Sequence, residues 1–182
     1  MPSLTKEEIF TFASPFELSI FVETGTFMGD TVNNVKDVFE RVYSIELNKR
    51  YADAAIERFK NSKNVTIFQG DSSDVLNILT KMLTKPTFFW LDGHWSGGDT
   101  ARGKKDCPLL EEIYAIVNYC NVNCTIVIDD ARLFGSKNNE DWLDITQENI
   151  LSHVGSRLHS FKYFPSAVSP NDRLVIHLLH KV

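Results

Sequence analysis

A chain of 182 residues with 43% hydrophobic content can bury one full core, which predicts a single domain spanning residues 1–182. Its formal charge of −5 and pI near 5.5 provide no basic face to neutralise phosphates, so polymeric nucleic acid is excluded as an expected partner. Cys107, Cys120 and Cys124 have no metal-ligand spacing and read as reduced, buried small side chains. With no charged-then-apolar leader and no apolar run of spanning length, the chain is expected to be soluble and cytoplasmic, with no membrane partner.

In chain order, Thr5 and Glu8 form a capping box that starts a first helix within residues 1–15, ended near Pro15. Then "SIFVET" reads as a buried strand, "GDTVNNVKDVFE" as a helix, "RVYSIEL" as a strand, "KRYADAAIERFKN" as a helix and "NVTIFQG" as a third strand. "SSDVLNILTKML" is an amphipathic helix, "PTFFWLD" a strand, "PLLEEIYAIVNYC" a helix and "CTIVIDD" a fifth strand. A helix is expected around Asp141 to His153, followed by two β-rich runs, "HSFKYFP" and "RLVIHLLH", that imply an antiparallel hairpin at one sheet edge. This alternation predicts an α/β fold: a Rossmann-like three-layer αβα sandwich around a mostly parallel sheet.

In such a sheet, ligands bind outside the carboxyl ends of the strands, where strand order reverses. Five successive strands end in acids: Glu23, Glu46, Asp71, Asp92, and the pair Asp129 and Asp130. The turn "ETGTFMGDT" lacks the G-x-G-x-x-G spacing of a pyrophosphate cradle. A carboxylate at Glu46 can accept from both hydroxyls of a ribose. Asp71 and Ser72 would then face a base, and Glu23 could attract a cationic amine. These positions suit a nucleoside that carries an ammonium group. Asp71 before Ser72 and Ser73 is equally a plausible helix cap, and Gly25 and Gly29 can serve a tight turn alone.

"VETGTFMGDT", "YSIEL", "QGDSSD" and "FFWLDGH" together resemble the successive motifs of class I S-adenosylmethionine-dependent methyltransferases over most of the chain. The resemblance implies a seven-stranded sheet with six parallel strands and one antiparallel C-terminal strand. It implies that S-adenosyl-L-methionine is met at its methionine end by Glu23, Thr24, Gly25, Thr26, Gly29, Asp30 and Thr31. Glu46 would meet the ribose, Asp71 and Ser72 the adenine, and Asp92 would complete the pocket.

The fourth and fifth strand ends bear on the chemistry. Asp92, Asp129 and Asp130 converging on one pocket would repel unless a cation sat between them, and carboxylate ligation suits magnesium, manganese or calcium rather than zinc. The alternative for the pair is a turn in which Arg132 neutralises one of them. "LDG" and "VIDD" are similar to metal-dependent O-methyltransferases, closer to the macrocin (macrolide-sugar) type than to the catechol type. That implies a divalent cation (Mg or Mn) on Asp92, Asp129 and Asp130, and transfer to a hydroxyl of a sugar, a glycan or another vicinal diol. Asp92 and His94 are the candidate catalytic bases. The loop 95–106, glycine-rich and polar, reads as a lid or acceptor loop: His94, Trp95 and Arg102 would meet the acceptor, and Lys104 and Lys105 are either anion contacts or solvated charge. The short chain suggests an open pocket, or one domain of a larger enzyme. Two other readings stay open: a metal-independent class I methyl- or aminopropyl-transferase, and a noncatalytic nucleoside-binding module.

Overall fold

The computed structural model describes residues 4–94, 103–136 and 142–181. Trp95 and Arg102, most of the expected acceptor loop, and residues 137–141 of the loop after the fifth strand therefore lie outside the described residues.

Helix α1 (Lys6–Ala13) starts on the capping box anticipated from sequence: the Glu8 amide donates to Thr5 Oγ1 at 3.3 Å, and the Thr5 amide donates to Glu8 Oε2 at 2.9 Å. The strands are β1 (Ile20–Thr24), β2 (Arg41–Glu46), β3 (Val65–Gln69), β4 (Thr87–Leu91), β5 (Cys124–Ile128), β6 (Leu158–Phe164) and β7 (Arg173–Leu178). They form one seven-stranded sheet in the order β3-β2-β1-β4-β5-β7-β6. All contacts from β3 through β5 are parallel, and β7 runs antiparallel to both β5 and β6. The closing hairpin is thus present, with its second strand inserted against β5 and its first strand outermost.

Period-two alternation divides the core. Val22, Phe89, Leu91, Ile126 and Ile128 face α4 (Ser72–Met82), α5 (Leu109–Tyr119) and α6 (Gln147–Val154). Phe21, Phe88, Trp90 and Val127 face α1, α2 (Asp30–Val35) and α3 (Lys49–Phe59). Strands buried on both faces explain why β1, β4 and β5 read as continuous apolar runs.

Two helices differ from expectation. α2 stops at Val35 rather than running to Glu40, because the Asn64 side chain donates to the carbonyls of Lys36 and Phe39 at 2.7 and 3.1 Å and stabilises a turn there. α6 begins at Gln147, where Thr146 caps the Asn149 amide at 3.1 Å. Among the described residues, no helix is long and apolar enough to cross a membrane.

Candidate functional site

Strand order reverses between β1 and β4, and there the backbone is packed as tightly as it can be. Gly25 follows β1 with φ +85°, and a Cβ on it would stand 2.5 Å from the Asp92 carbonyl oxygen. Any larger residue would both strain the left-handed backbone and push β4 away. Gly29, with φ +79°, packs against Phe59 in the same fashion.

Glu46, at the end of β2, is buried beneath the glycine turn. Its two carboxylate oxygens accept the amides of Phe27 at 2.8 Å and Asn48 at 2.7 Å. Phe27 is a non-glycine residue at φ 47°, so Glu46 holds a strained turn while retaining lone pairs for a ligand. Glu23, near the end of β1, is 1% exposed, accepts from Ser44 Oγ at 2.6 Å, and burial pushes its pKa up to about 8. Thr24 and Thr26 are buried beside it, with Thr26 Oγ1 2.5 Å from Ser44 Oγ. Thr31 is buried on α2, and Asp30 is exposed and paired with Arg58 at 2.8 Å. Asp71 caps α4: its Oδ1 accepts from the Ser73 amide at 3.0 Å and from the Ser73 hydroxyl at 2.6 Å, so the capping reading holds for one oxygen. Ser72 opens that helix and is buried.

The side chains that converge after β4 and β5 are Asp92, His94 and Asp130, whose ligand atoms all lie within 4.8 Å of one another. His94 Nε2 stands 2.8 Å from Asp130 Oδ2, and His94 Nδ1 stands 3.8 Å from Asp92 Oδ1. The Asp92 Oδ1 atom is enclosed and has no hydrogen-bond partner among the described residues. Burial pushes the Asp92 carboxyl up to about 7; His94 opposes this, and Asp129 and Asp130 add to it. For His94, burial lowers the pKa but is outweighed by the Asp130 hydrogen bond and the surrounding carboxylates, leaving the imidazole above its ordinary value.

Asp129, expected in this set, is held by an arginine. Arg173 Nε donates to its Oδ1 at 3.2 Å, and the same guanidinium reaches Glu8 of α1 and lies over the Trp90 ring. Arg132 bonds Asp130 and Asp172, the latter at 2.7 and 2.9 Å, so the alternative reading of an arginine-neutralised turn describes part of the arrangement. Among the described residues Asp92, Asp129 and Asp130 therefore do not form one group; Asp92, His94 and Asp130 do, and Asp129, Asp130 and Asp172 form a second whose ligand atoms also lie within 4.8 Å of one another. Lys104 pairs with Asp74 at 2.9 Å and Lys105 with Glu111, both on the surface.

Sequence reasoning missed Glu112 and Arg173, and placed Trp142 only at the end of "FGSKNNEDW", a second candidate loop at the same rim. Trp142 packs edge-on against His94 with ring centres 5.1 Å apart. Glu112 had a legible signal, since it occupies an apolar position among Leu109, Ile113 and Ile116 on the stripe of α5. Arg173 had none, because its partners lie at the far end of the chain and on another strand.

No protein-family model and no curated protein sequence matches the chain. Solved structures do. The Streptococcus mutans methyltransferase candidate SMU.1697c, in complex with SAH, aligns with a TM-score of 0.64 at 16% identity over 98% of this chain and 100% of that one. An rRNA methylase from Streptococcus thermophilus aligns at 0.56 and 16% identity over 99% of each chain. The N-methyltransferase NodS from Bradyrhizobium japonicum, in complex with S-adenosyl-L-homocysteine, aligns at 0.57 and 13% identity over 98% of this chain and 89% of that one. The fold is thus the seven-stranded Rossmann-like methyltransferase fold. Because an rRNA methylase is among these structures, the expectation that polymeric nucleic acid is excluded gains no support.

Proposed function

We propose that this protein binds S-adenosylmethionine over the carboxyl ends of β1, β2 and β3. We further propose that it transfers the methyl group to a hydroxyl of a sugar or other vicinal diol, with a divalent cation at Asp92, His94 and Asp130. The observation that carries this reading is Asp92 Oδ1: an enclosed carboxylate oxygen with no hydrogen-bond partner among the described residues, facing an imidazole and a second carboxylate at the strand-order reversal. An orphaned buried charge is costly unless something positive completes it, and two carboxylates with one imidazole are a donor set that suits manganese better than magnesium. A cation held there lowers the pKa of a bound hydroxyl and keeps two vicinal hydroxyls in register.

The chain's own residues have defined tasks. Glu46, with lone pairs left beside two backbone amides, would orient the ribose, and the free oxygen of Asp71 the adenine. The sulfonium supplies an activated methyl group, so no covalent enzyme nucleophile is required; the protein aligns donor and acceptor and removes one proton. Asp92 would take that proton from the hydroxyl.

A second reading has its own observation. Asp130 holds His94 Nε2 at 2.8 Å, the arrangement of an oriented base whose Nδ1 faces the pocket. In that metal-independent enzyme His94 takes the proton. The test is methyl transfer from labelled S-adenosylmethionine to a panel of sugars, with and without a chelator, preceded by calorimetric titration with S-adenosylhomocysteine. Binding and chelator-sensitive transfer are expected. Full activity after chelation, abolished by His94→Ala, would hand the chemistry to the second reading. A folded sample with no S-adenosylhomocysteine binding would leave the noncatalytic reading in place.

A further inference from the structure

Glu112 lies on the buried stripe of α5, 1% exposed, with Leu109, Ile113 and Ile116 on the same face. Its Oε1 and the Thr24 Oγ1 are both fully enclosed, and neither completes a hydrogen bond among the described residues. Both atoms close on the same backbone: a Cβ built on Gly93 would stand 2.9 Å from Thr24 Oγ1 and 3.2 Å from Glu112 Oε1. Beside Glu112 is a cavity of about 10 Å³ lined by Gly93, His94, Glu112, Asp129 and Trp142, about the least room that one water needs.

Burial pushes the Glu112 carboxyl up to about 7, against the hydroxyls of Ser72 and Thr24. Its place in the first turn of α5 favours the anion, but by less than desolvation of a carboxylate opposes it. A buried polar atom left unpaired is costly, and the partners within reach of Glu112 are the Thr24 hydroxyl at the end of β1 and a water in that cavity.

We propose that Glu112 is a positioning residue: with the Thr24 hydroxyl and one enclosed water it forms a hydrogen-bonded floor beneath Gly93 that fixes the turn carrying Asp92 and His94. The inference rests on the proposed function for the importance of that turn. Gly93 fits because a side chain there would displace the floor. Glu112 touches neither donor nor acceptor; it acts through the geometry of its two neighbours.

The test uses the full chain with labelled histidine rings, the His94 signals being identified by their loss in His94→Ala. Glu112→Met keeps the volume and removes the hydrogen bonds, and Glu112→Gln keeps a neutral donor and acceptor. At one fixed pH the Met variant is expected to displace the His94 signals by more than a linewidth while His177 stays in place, and the Gln variant to restore them. Unmoved His94 signals in the Met variant, or equal displacement in both variants, overturn the proposal. A high-resolution crystal structure of the unmodified protein decides the matter without any variant: a water bonded to Glu112 Oε1 and Thr24 Oγ1 is expected, and its absence overturns the floor. Titration with S-adenosylhomocysteine is run beside it, so a failure of the methyl-transfer reading is seen separately.

Discussion

Glu46 carries two duties, and its removal should reveal both. Glu46→Ala is expected to weaken S-adenosylhomocysteine binding by about 2–4 kcal/mol, the worth of two charge-assisted hydrogen bonds. It should also lower the melting temperature, because Phe27 and Asn48 lose their acceptor and the turn at φ 47° loses its tether. Calorimetry and thermal melts measure the two effects; unchanged affinity would sink the ribose assignment. Glu23 makes a prediction about pH. Its folded pKa of about 8 lies above the ordinary 4.5, so the folded state holds the proton more tightly. Its stabilising contribution is complete below pH 4.5 and is lost as pH rises through about 8. Glu23→Gln, permanently neutral, should flatten the fall in stability over that window, an effect of at most about 5 kcal/mol, read from melts across the pH range. An identical pH profile in the variant would show that Glu23 is already ionised. At Asp130 the informative substitution is Asn, because the residue sits at φ 59°, where Asn is tolerated and Ala is strained. Asp130→Asn should cut manganese affinity while leaving S-adenosylhomocysteine affinity nearly unchanged, as read by paired titrations.

Elements far apart in sequence are joined through one buried cation. Arg173 of β7 bonds Asp129 after β5 and Glu8 in the first turn of α1, so the N-terminal helix is tied to the strand end that bears Asp130. Glu8→Gln removes the carboxylate from both the capping box and the ion pair, and should cost about 1 kcal/mol by thermal melting. Burial would raise the Glu8 pKa, but the Thr5 amide and Arg173 outweigh it and hold it below 4.5. Its contribution is therefore present above pH 4.5 and lost as pH falls, so the deficit of the variant should shrink in acid. A deficit independent of pH would mean that the capping geometry, not the charge, is what α1 supplies.

For the whole molecule, the negative charges of Asp129 and Asp130 oppose ionisation of the buried Asp92 carboxyl. A cation that binds only the folded state stabilises it by mass action, by about 2.7 kcal/mol at a hundredfold excess over its Kd. Manganese should accordingly raise the melting temperature by roughly 5–10 °C in a domain of this size, and Asp92→Asn should abolish most of the rise. No shift at saturating manganese would favour the metal-independent reading.

What the sequence by itself determined is local or periodic. The capping box at Thr5 and Glu8, the two-sided apolar runs of β1, β4 and β5, and the acids at the strand ends all follow from spacing that one stretch of chain carries. They were enough for the layers, the parallel sheet and the edge from which a ligand would be held. The tertiary structure decided how those ends point. Asp129 and Asp130 are neighbours in sequence, yet a left-handed residue at 130 and a buried arginine 44 positions away send one toward His94 and the other toward Arg173. Glu23 looks like a ligand acid and is a buried one, because Ser44 on the adjacent strand covers it. Periodicity tells which face a residue occupies; only the packing of non-local partners, through desolvation and pairing of charge, tells what it can bind there.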